Sequence, residues 1–278
     1  MKTRIITGLV LAAIAIPVLI LSDYIVYPIA LSIFALIAVW ELLGLTGFRK
    51  NVAVFLPSYL IAAFFPIHCY SVKSLDEAMG VIVTIATLFL AFMLYLIGYC
   101  VVKRGKIKLG DVCLYYVFFL YVTMAFASLS LLRYIPNGVY YYILILLASW
   151  ICDIFAYFVG FAIGKTKLIP EVSPKKTVEG AIGGVFFAAI AFLIFGIVLT
   201  FIEGAPRPNF LVLAVLGIVL SVISQFGDLS ASLLKREKGI KDFGTIFPGH
   251  GGVLDRFDSL LPVAPVLLAI CMIYPPFS

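Results

Sequence analysis

The segment Phe247–Ser259, FPGHGGVLDRFDS, gathers acidic, basic and glycine residues near the end of a strongly apolar chain. Asp255 belongs to it, and Asp228 lies at the start of the longer polar stretch Gly227–Ser259. The two aspartates stand near the ends of two apolar segments that this single loop connects, so we expect the two carboxylates to come together. Two carboxylates from separate helices suit Mg²⁺, which fills its remaining positions with water and phosphate oxygens. Asp228 and Asp255 are therefore the predicted metal ligands.

The residues around this pair are of types that bind phosphate. Asp228, Ser232 and Lys235 share one face of any helix that continues through them, because they are spaced by four and three residues. His250 can donate to a phosphate oxygen or carry a proton, and glycines let backbone N–H groups approach an anion. The predicted catalytic residues are Asp228, Asp255, Lys235, Arg236, His250 and Asp258. The predicted phosphate-binding residues are Ser173, Lys175, Lys176, Thr177, Ser232, Lys241, Gly251, Gly252 and Arg256.

These features also have ordinary structural explanations. Acidic residues on one face of a first helical turn, as expected for Asp255 and Asp258, suit the helix dipole. Basic residues at a helix end anchor it among anionic headgroups, and Thr177 is a candidate helix cap. We expect Asp153 and Glu179 to line the same polar cavity, whereas Asp153 taken alone equally suits a hydrogen bond between helices.

The elements that must position these residues are membrane helices. Of the 278 residues, 64% are hydrophobic and 12% are charged, whereas a soluble domain is about half apolar and a quarter charged. Segments approaching the roughly 20 apolar residues that cross a bilayer are Ile5–Leu21, Tyr24–Leu43, Val52–Tyr70, Met79–Val102, Val112–Leu132, Val139–Ile163, Ala181–Ile202, Phe210–Phe226 and Leu260–Pro276. The five cysteines lie in apolar runs without a CxxC pair, which argues against a zinc site or a disulfide framework.

This pattern predicts an all-α polytopic integral membrane protein of about nine transmembrane helices, with a polar cavity that faces the cytoplasm. We assign packing and assembly to residues 1–110. Catalysis is assigned to residues 111–278 with the loops 164–180 and 227–259, all within a single membrane domain. Outer loops are short and weakly charged.

The distribution of basic residues sets the predicted orientation. With the N-terminus in the cytoplasm, nine crossings place 17 of the 20 Lys and Arg residues inside and three outside, as the positive-inside rule requires. The predicted location is the inner, cytoplasmic cell membrane, with the active site facing the cytoplasm. The net charge of +6 then reflects topology and not a nucleic-acid partner. The first segment also resembles a signal peptide, but no small-residue cleavage site follows it, which favours a retained helix.

The long polar stretch resembles one family closely. Its signature reads Ser232-x-x-Lys235-Arg236, Lys241-Asp242, Pro248-Gly249-His250-Gly251-Gly252 and Asp255-Arg256-x-Asp258. This pattern is similar to that of the phosphatidate cytidylyltransferases, also called CDP-diacylglycerol synthases, and SPKKTVEG and SQFGDLSASLLKR resemble further blocks of that family. The resemblance implies that CTP and phosphatidic acid give CDP-diacylglycerol and pyrophosphate with Mg²⁺. It also implies a lipid-bilayer setting, a monovalent second ion such as K⁺, and a homodimer.

Other functions fit parts of the pattern. A CTP-dependent lipid kinase would instead move the γ-phosphate and release CDP. CDP-alcohol phosphotransferases carry their aspartates in a D-G-x-x-A-R framework that this sequence lacks. A transporter could use Asp153 as an ion site, but transporters often show repeats and broken helices at the midplane, whereas the polar groups here cluster at one face.

Overall fold

The computed structural model describes residue 13 and residues 17–277, and the chain is mostly helical. The helices are α1 (Val26–Thr46), α2 (Val52–His68), α3 (Leu75–Val102), α4 (Leu109–Tyr134), α5 (Gly138–Leu146), α6 (Cys152–Ile163), α7 (Val178–Thr200), α8 (Phe210–Glu237), α9 (Leu254–Phe257) and α10 (Val263–Ile273). A 3₁₀ turn, Cys69–Ser71, follows α2, and a π-helical segment, Leu147–Ile151, joins α5 to α6. The all-α prediction is confirmed at the level of a mostly helical membrane protein.

The number of long helices is smaller than predicted among the described residues. Six helices are long and apolar enough to cross a membrane: α1, α3, α4, the continuous α5–α6 unit, α7 and α8. Helices α2 and α10 are apolar but shorter, with 17 and 11 residues. The predicted first helix, Ile5–Leu21, lies largely outside the described residues. Nine spans are therefore not confirmed, and the cytoplasm-facing cavity stays a prediction.

Lipid contact explains the outer surfaces of these helices. Large apolar side chains remain exposed along them, including Phe161 at 82%, Phe201 at 83% and Leu211 at 76%. Exposed apolar surface on this scale would be a liability in water, whereas hydrocarbon accommodates it. Helices satisfy their own backbone hydrogen bonds, as the bilayer core demands. The chain is a multi-pass membrane protein.

The described chain forms two compact units, each with its own packing. The first comprises residues up to Pro136 together with Asp242–Arg256, and the second comprises Asn137–Lys241 with the residues from Phe257 onward. In the first unit α1 packs against α2 and α4, which also pack against each other. In the second unit α7 packs between α6 and α8, and α10 packs on α8 and α5. The predicted functional division near residue 110 stays a prediction.

The loop before α7 contains a feature that the sequence did not predict. Strands β1 (Lys167–Ile169) and β2 (Ser173–Thr177) form an antiparallel hairpin, in which Lys167 pairs with Thr177 and Ile169 with Ser173. Pro174 is in β2, where its restraint on the preceding residue favours the extended backbone of Ser173. The hairpin leads straight into α7, so it fixes the direction of Lys175 and Lys176 relative to that helix.

Glycines allow α6 and α7 to approach closely beside Thr177. A methyl group on Gly180 would collide with the carbonyl oxygen of Ala156 and lie 2.9 Å from the Thr177 hydroxyl. A methyl group on Gly160 would lie 2.8 Å from the same hydroxyl. Small residues permit such close helix contact in membranes, and here they bring the end of β2 against α6.

We expect Gly180→Ala to lower the stability of the folded protein by about 1–3 kcal/mol, because an added methyl group must push α6 and α7 apart. Thermal unfolding in detergent measures this change. Gly98→Ala is the matched control, since nothing lies within 4 Å of a Cβ at Gly98 in α3. An unchanged thermal midpoint for Gly180→Ala would contradict the close approach.

Candidate active site

Helix α8 carries the first half of the predicted site. It begins at Phe210, as predicted, but continues to Glu237, well beyond the predicted membrane end at Phe226. The condition under which Asp228, Ser232 and Lys235 share one face, a helix that continues through all three, is therefore met. Lys235 is buried, at 9% exposure, so this cation faces protein and does not extend into solvent.

Asp228 meets a cation from the hairpin. Its Oδ2 forms an ion pair with Nζ of Lys176, and both side chains are half-buried, at 28% exposure. Lys176 was predicted as a phosphate-binding residue and Asp228 as a metal ligand, on segments about fifty residues apart. Antiparallel pairing in the hairpin and the length of α8 bring them together. An ion pair shielded in this way is less weakened by solvent than a surface pair.

Asp153 joins this pair from a third element. It lies in α6, directly after the π-helical segment Leu147–Ile151, and its carboxylate interacts with Asp228, Lys176 and Ser259. Segments of π-helix disturb helical register and are frequent at functional sites. Asp153, Asp228 and Lys176 thus interact within the second unit, whereas the role of Asp153 as a cavity residue stays a prediction.

Ser259 is a member of this cluster that the sequence analysis missed. It is buried, at 7% exposure, its side chain interacts with Asp153, and its carbonyl oxygen accepts a hydrogen bond from Ser149 at 3.4 Å. Its backbone N–H also donates to Oδ1 of Asp258 at 2.9 Å. A lone serine at the end of a polar stretch gives no spacing signal, so only tertiary packing shows its position.

Thr177 and Glu179 hold the hairpin to α7. The Thr177 hydroxyl accepts a hydrogen bond from the N–H of Gly180 at 3.2 Å, which confirms the predicted helix cap. Both carboxylate oxygens of Glu179 accept from the N–H of Thr166, at 3.1 and 3.2 Å. Glu179 thus holds the start of the hairpin, and its role as a cavity residue stays a prediction.

The glycine turn in the first unit is a compact hairpin-like loop. The N–H of Phe247 donates to the carbonyl of Gly251 at 2.9 Å, and that of His250 donates to the carbonyl of Phe247 at 2.8 Å. Gly249 and Gly251 adopt φ values of 78° and 83°, a region that favours glycine. Here the glycines are required by backbone geometry. The Nδ1 atom of His250 is buried, and the described residues offer it no hydrogen-bond partner.

The amides of this turn already bind anions, and those anions are carboxylates of the chain. Oδ2 of Asp255 accepts from the N–H groups of Phe243 and Gly252, at 2.8 and 2.9 Å. The two oxygens of Glu41 accept from Val253 and Leu254, each at 2.9 Å. Of these four amides, only that of Gly252 belongs to the predicted glycine run. Phosphate binding by Gly251 and Gly252 stays a prediction.

Glu41 is the second residue that the sequence analysis missed. It is 3% exposed in α1, within the predicted apolar segment Tyr24–Leu43. An ionisable residue inside a membrane segment is costly unless it has partners. That rule, applied to Glu41 as it was to Asp153, would have found this residue.

The two aspartates of the ninth segment do not share the first turn of a spanning helix, so that prediction is wrong. Asp255 lies in the four-residue helix α9, Asp258 follows the end of α9, and the longer helix α10 begins only at Val263. Hydrogen bonds from Gly252 and Phe243 to Asp255 favour this early, separate turn. A Cβ at Gly227 would meet the Asp258 carbonyl oxygen, so the backbone of Asp258 packs beside the start of the polar part of α8.

The remaining predicted residues differ in exposure. Ser173 and Ser232 are half-buried, and the exposed ones are Lys175, Arg236, Lys241 and Arg256. Asp228 belongs to the second unit and Asp255 to the first, so their pairing around Mg²⁺ stays a prediction. Among the described residues, no three His, Cys, Asp or Glu side chains group closely enough to hold a metal by themselves.

Comparison with known proteins decides the family. The sequence model of the cytidylyltransferase family matches residues 2–274. The chain belongs to the cytidylyltransferase family. As a member of this family it is a nucleotidyltransferase enzyme, and the resemblance found in the sequence motif is confirmed.

Individual relatives are similar to this chain over nearly its full length. It is similar to the phosphatidate cytidylyltransferase of Bacillus subtilis (strain 168), with 36% identity over 99% of this chain and 98% of the relative. The enzymes of the same name from Staphylococcus haemolyticus (strain JCSC1435) and Staphylococcus aureus (strain COL) are 33% and 34% identical, each over 96% of this chain and 97% of the relative. Similarity at this coverage includes the membrane helices as well as the polar motif.

Proposed function

We propose that this cytidylyltransferase-family chain is a phosphatidate cytidylyltransferase, which converts CTP and phosphatidic acid into CDP-diacylglycerol and pyrophosphate. The full-length relatives carry that name. The observation that carries the proposal in the structure is the meeting of Asp228, Lys176 and Asp153 from three different elements. A lipid-embedded chain with such a charged cluster suits transfer between a water-soluble nucleotide and a lipid phosphate.

The proposed reaction is a direct displacement. A phosphate monoester is substantially dianionic at neutral pH, because its second pKa is about 6, so the lipid phosphate needs little help from a general base. One of its oxygens forms a bond to the α-phosphorus of CTP. The bond from that phosphorus to the bridging oxygen of the β-phosphate breaks, and pyrophosphate leaves with the electron pair. The lipid-linked product keeps the cytidine and its α-phosphate.

The cationic side chains bind and orient the phosphates in this scheme. Lys176 is held in place by Asp228, and a positioned ammonium group stabilises charge better than a mobile one. Arg236 follows Lys235 on α8, and its planar guanidinium suits a bidentate contact with a phosphate. Lys175 and Lys241 are exposed and add positive potential that attracts the anionic substrates.

The second unit also suits a divalent cation. Lys176 forms an ion pair with Asp228, and Asp153 interacts electrostatically with both groups, so oxygen donors and a positive charge already share this part of the unit. Mg²⁺ is usually held by one or two carboxylates plus substrate phosphates, which agrees with a pair of acids in place of a complete cage. When bound, Mg²⁺ neutralises charge on the nucleotide phosphates and on departing pyrophosphate.

Asp228 is the proposed ligand in this unit, with Asp153 beside it. We retain Asp255 as the second proposed ligand on the sequence motif. A monovalent second ion and a homodimer are proposed from the family resemblance alone. The proposed setting is the inner cell membrane, with the N-terminus and the active site on the cytoplasmic side, as the distribution of basic residues supports.

Product analysis with different acceptors tests the function. The purified protein in detergent is incubated with CTP and Mg²⁺, and with phosphatidic acid, diacylglycerol or dolichol in turn, and the lipids are identified by mass spectrometry. We expect a CDP-lipid only with phosphatidic acid, together with an equal amount of pyrophosphate. A phosphorylated lipid and free CDP from either alcohol would assign the chain to the lipid kinases instead.

A further inference from the structure

We propose that Glu41, in the first described membrane-length helix, is a positioning residue that fixes the turn around Gly252 and thereby the side chain of Asp255. The contacts of this part of the chain carry the proposal, and its consequence for catalysis rests on the proposed function. All of these residues belong to the first unit.

Backbone hydrogen bonds stabilise the buried carboxylate of Glu41. Glu41 lies within α1, at 3% exposure, where a charged group without hydrogen bonds is very unfavourable. Each of its oxygens accepts one backbone N–H, from Val253 and Leu254, at 2.9 Å. These donors follow Gly252 directly and precede Asp255. Glu41 therefore holds the backbone between the two predicted site residues.

The turn is shaped around this carboxylate. A Cβ on Gly244 or on Gly252 would collide with Glu41 side-chain atoms, and neither glycine has a positive φ. Glycine at these two positions thus supplies space for Glu41, in contrast to Gly249 and Gly251, which supply a backbone conformation. The loop and the acid are complementary in shape as well as in hydrogen bonding.

Asp255 is hydrogen-bonded to the same segment of backbone that Glu41 binds. Its Oδ2 accepts from Gly252 and Phe243, and the side chain is 7% exposed. The N–H of Gly252 therefore binds Asp255, while the next two N–H groups bind Glu41. If Glu41 no longer held Val253 and Leu254, the backbone that leads into Asp255 would lose its fixed direction.

Glutamine is the most informative replacement at Glu41. It keeps the length of the side chain but offers one carbonyl oxygen, so its NH₂ group faces one of the two backbone donors. Hydrogen exchange by mass spectrometry over residues 241–256 should show amide exchange in the turn faster by about tenfold or more, because one buried donor is left unpaired. Peptides from α3 and α8 should exchange as in the unchanged protein.

The same variant should separate a positioning role from a general loss of stability. We expect kcat to fall by about tenfold or more, with the KM for phosphatidic acid near that of the unchanged protein and the variant still folded at the assay temperature, so that the loss of kcat exceeds any loss of folded enzyme. Glu77→Gln is the control, since Glu77 also accepts a backbone N–H, from Lys73 at 2.7 Å, but on an exposed helix start. The Glu77→Gln variant should change neither amide exchange in the turn around Gly252 nor kcat.

Two results would overturn the proposal: unchanged exchange in the turn of Glu41→Gln, or faster exchange with unchanged kcat. If Glu41→Gln does not yield folded protein, Gly244→Ala disturbs the same contact from the loop side and is measured in the same way. Absence of CDP-lipid formation by the unchanged chain would instead refute the proposed function, and exchange in the turn would still decide whether Glu41 fixes it.

Discussion

Asp228→Asn is expected to lower CDP-lipid formation by about a hundredfold or more, since a preorganised charge next to the reacting phosphates is removed. Asparagine keeps the shape of the side chain but cannot form the ion pair with Lys176 or provide a charged oxygen to Mg²⁺. Lys176 also loses the partner that orients it. The rate of CDP-lipid formation at saturating CTP and phosphatidic acid measures the effect.

Glu237→Gln is the matched control for this variant, because it removes an exposed acid from the end of the same helix and should leave the rate unchanged. Both variants should elute as folded protein on size exclusion in detergent. A near-normal rate for Asp228→Asn would remove Asp228 from the reaction and with it the proposed magnesium ligand of the second unit.

Asp255→Asn is expected to abolish most of the activity for two combined reasons. The neutral side chain gives weaker hydrogen bonds to Phe243 and Gly252 than a carboxylate does, because charge-assisted bonds are about twice as strong. The proposed second ligand for Mg²⁺ is lost at the same time. We expect a rate decrease of about a hundredfold and a stability decrease of about 1–3 kcal/mol, measured by product formation and by thermal unfolding.

Asp76→Asn provides the comparison for this second variant. Asp76, like Asp255, is the second residue of its helix, but it is exposed and far from the motif in sequence. It should change neither quantity appreciably. Loss of stability without loss of rate in Asp255→Asn would limit Asp255 to holding the turn.

Local sequence patterns predicted most of the long helices, because a helix that crosses a bilayer needs a long and continuous apolar run. Continuous apolar runs located helices such as Phe210–Glu237 and Val178–Thr200 to within a few residues at their starts. The three- and four-residue spacing of Asp228, Ser232 and Lys235 predicted a common face on any helix through them, but not that the helix continues to Glu237. Thr177 was recognised as a cap because a threonine stands just before the seventh apolar segment, with Glu179 in the first turn of the helix.

Features that depend on contacts between distant segments were not predictable in the same way. The hairpin that presents Lys176 to Asp228 turns where Val172 donates to the carbonyl of Ile169. Pro170 is a local signal for that turn, but no local signal shows which acid Lys176 meets. The short helix around Asp255 arises because that carboxylate binds Phe243 and Gly252, which no helical periodicity encodes. Glu41 stands more than two hundred residues from the amides that it binds, so its partners become evident only when the chain is folded.

The position of the phosphorus that is attacked distinguishes nucleotidyl transfer from phosphoryl transfer. The purified chain is given phosphatidic acid, Mg²⁺ and CTP carrying ³²P at either the α or the γ position. Transfer of cytidine with its α-phosphate predicts that the α-label appears in the chloroform-extracted lipid and the γ-label in pyrophosphate. Recovery of the γ-label in the lipid, with the α-label in water-soluble CDP, would contradict the account.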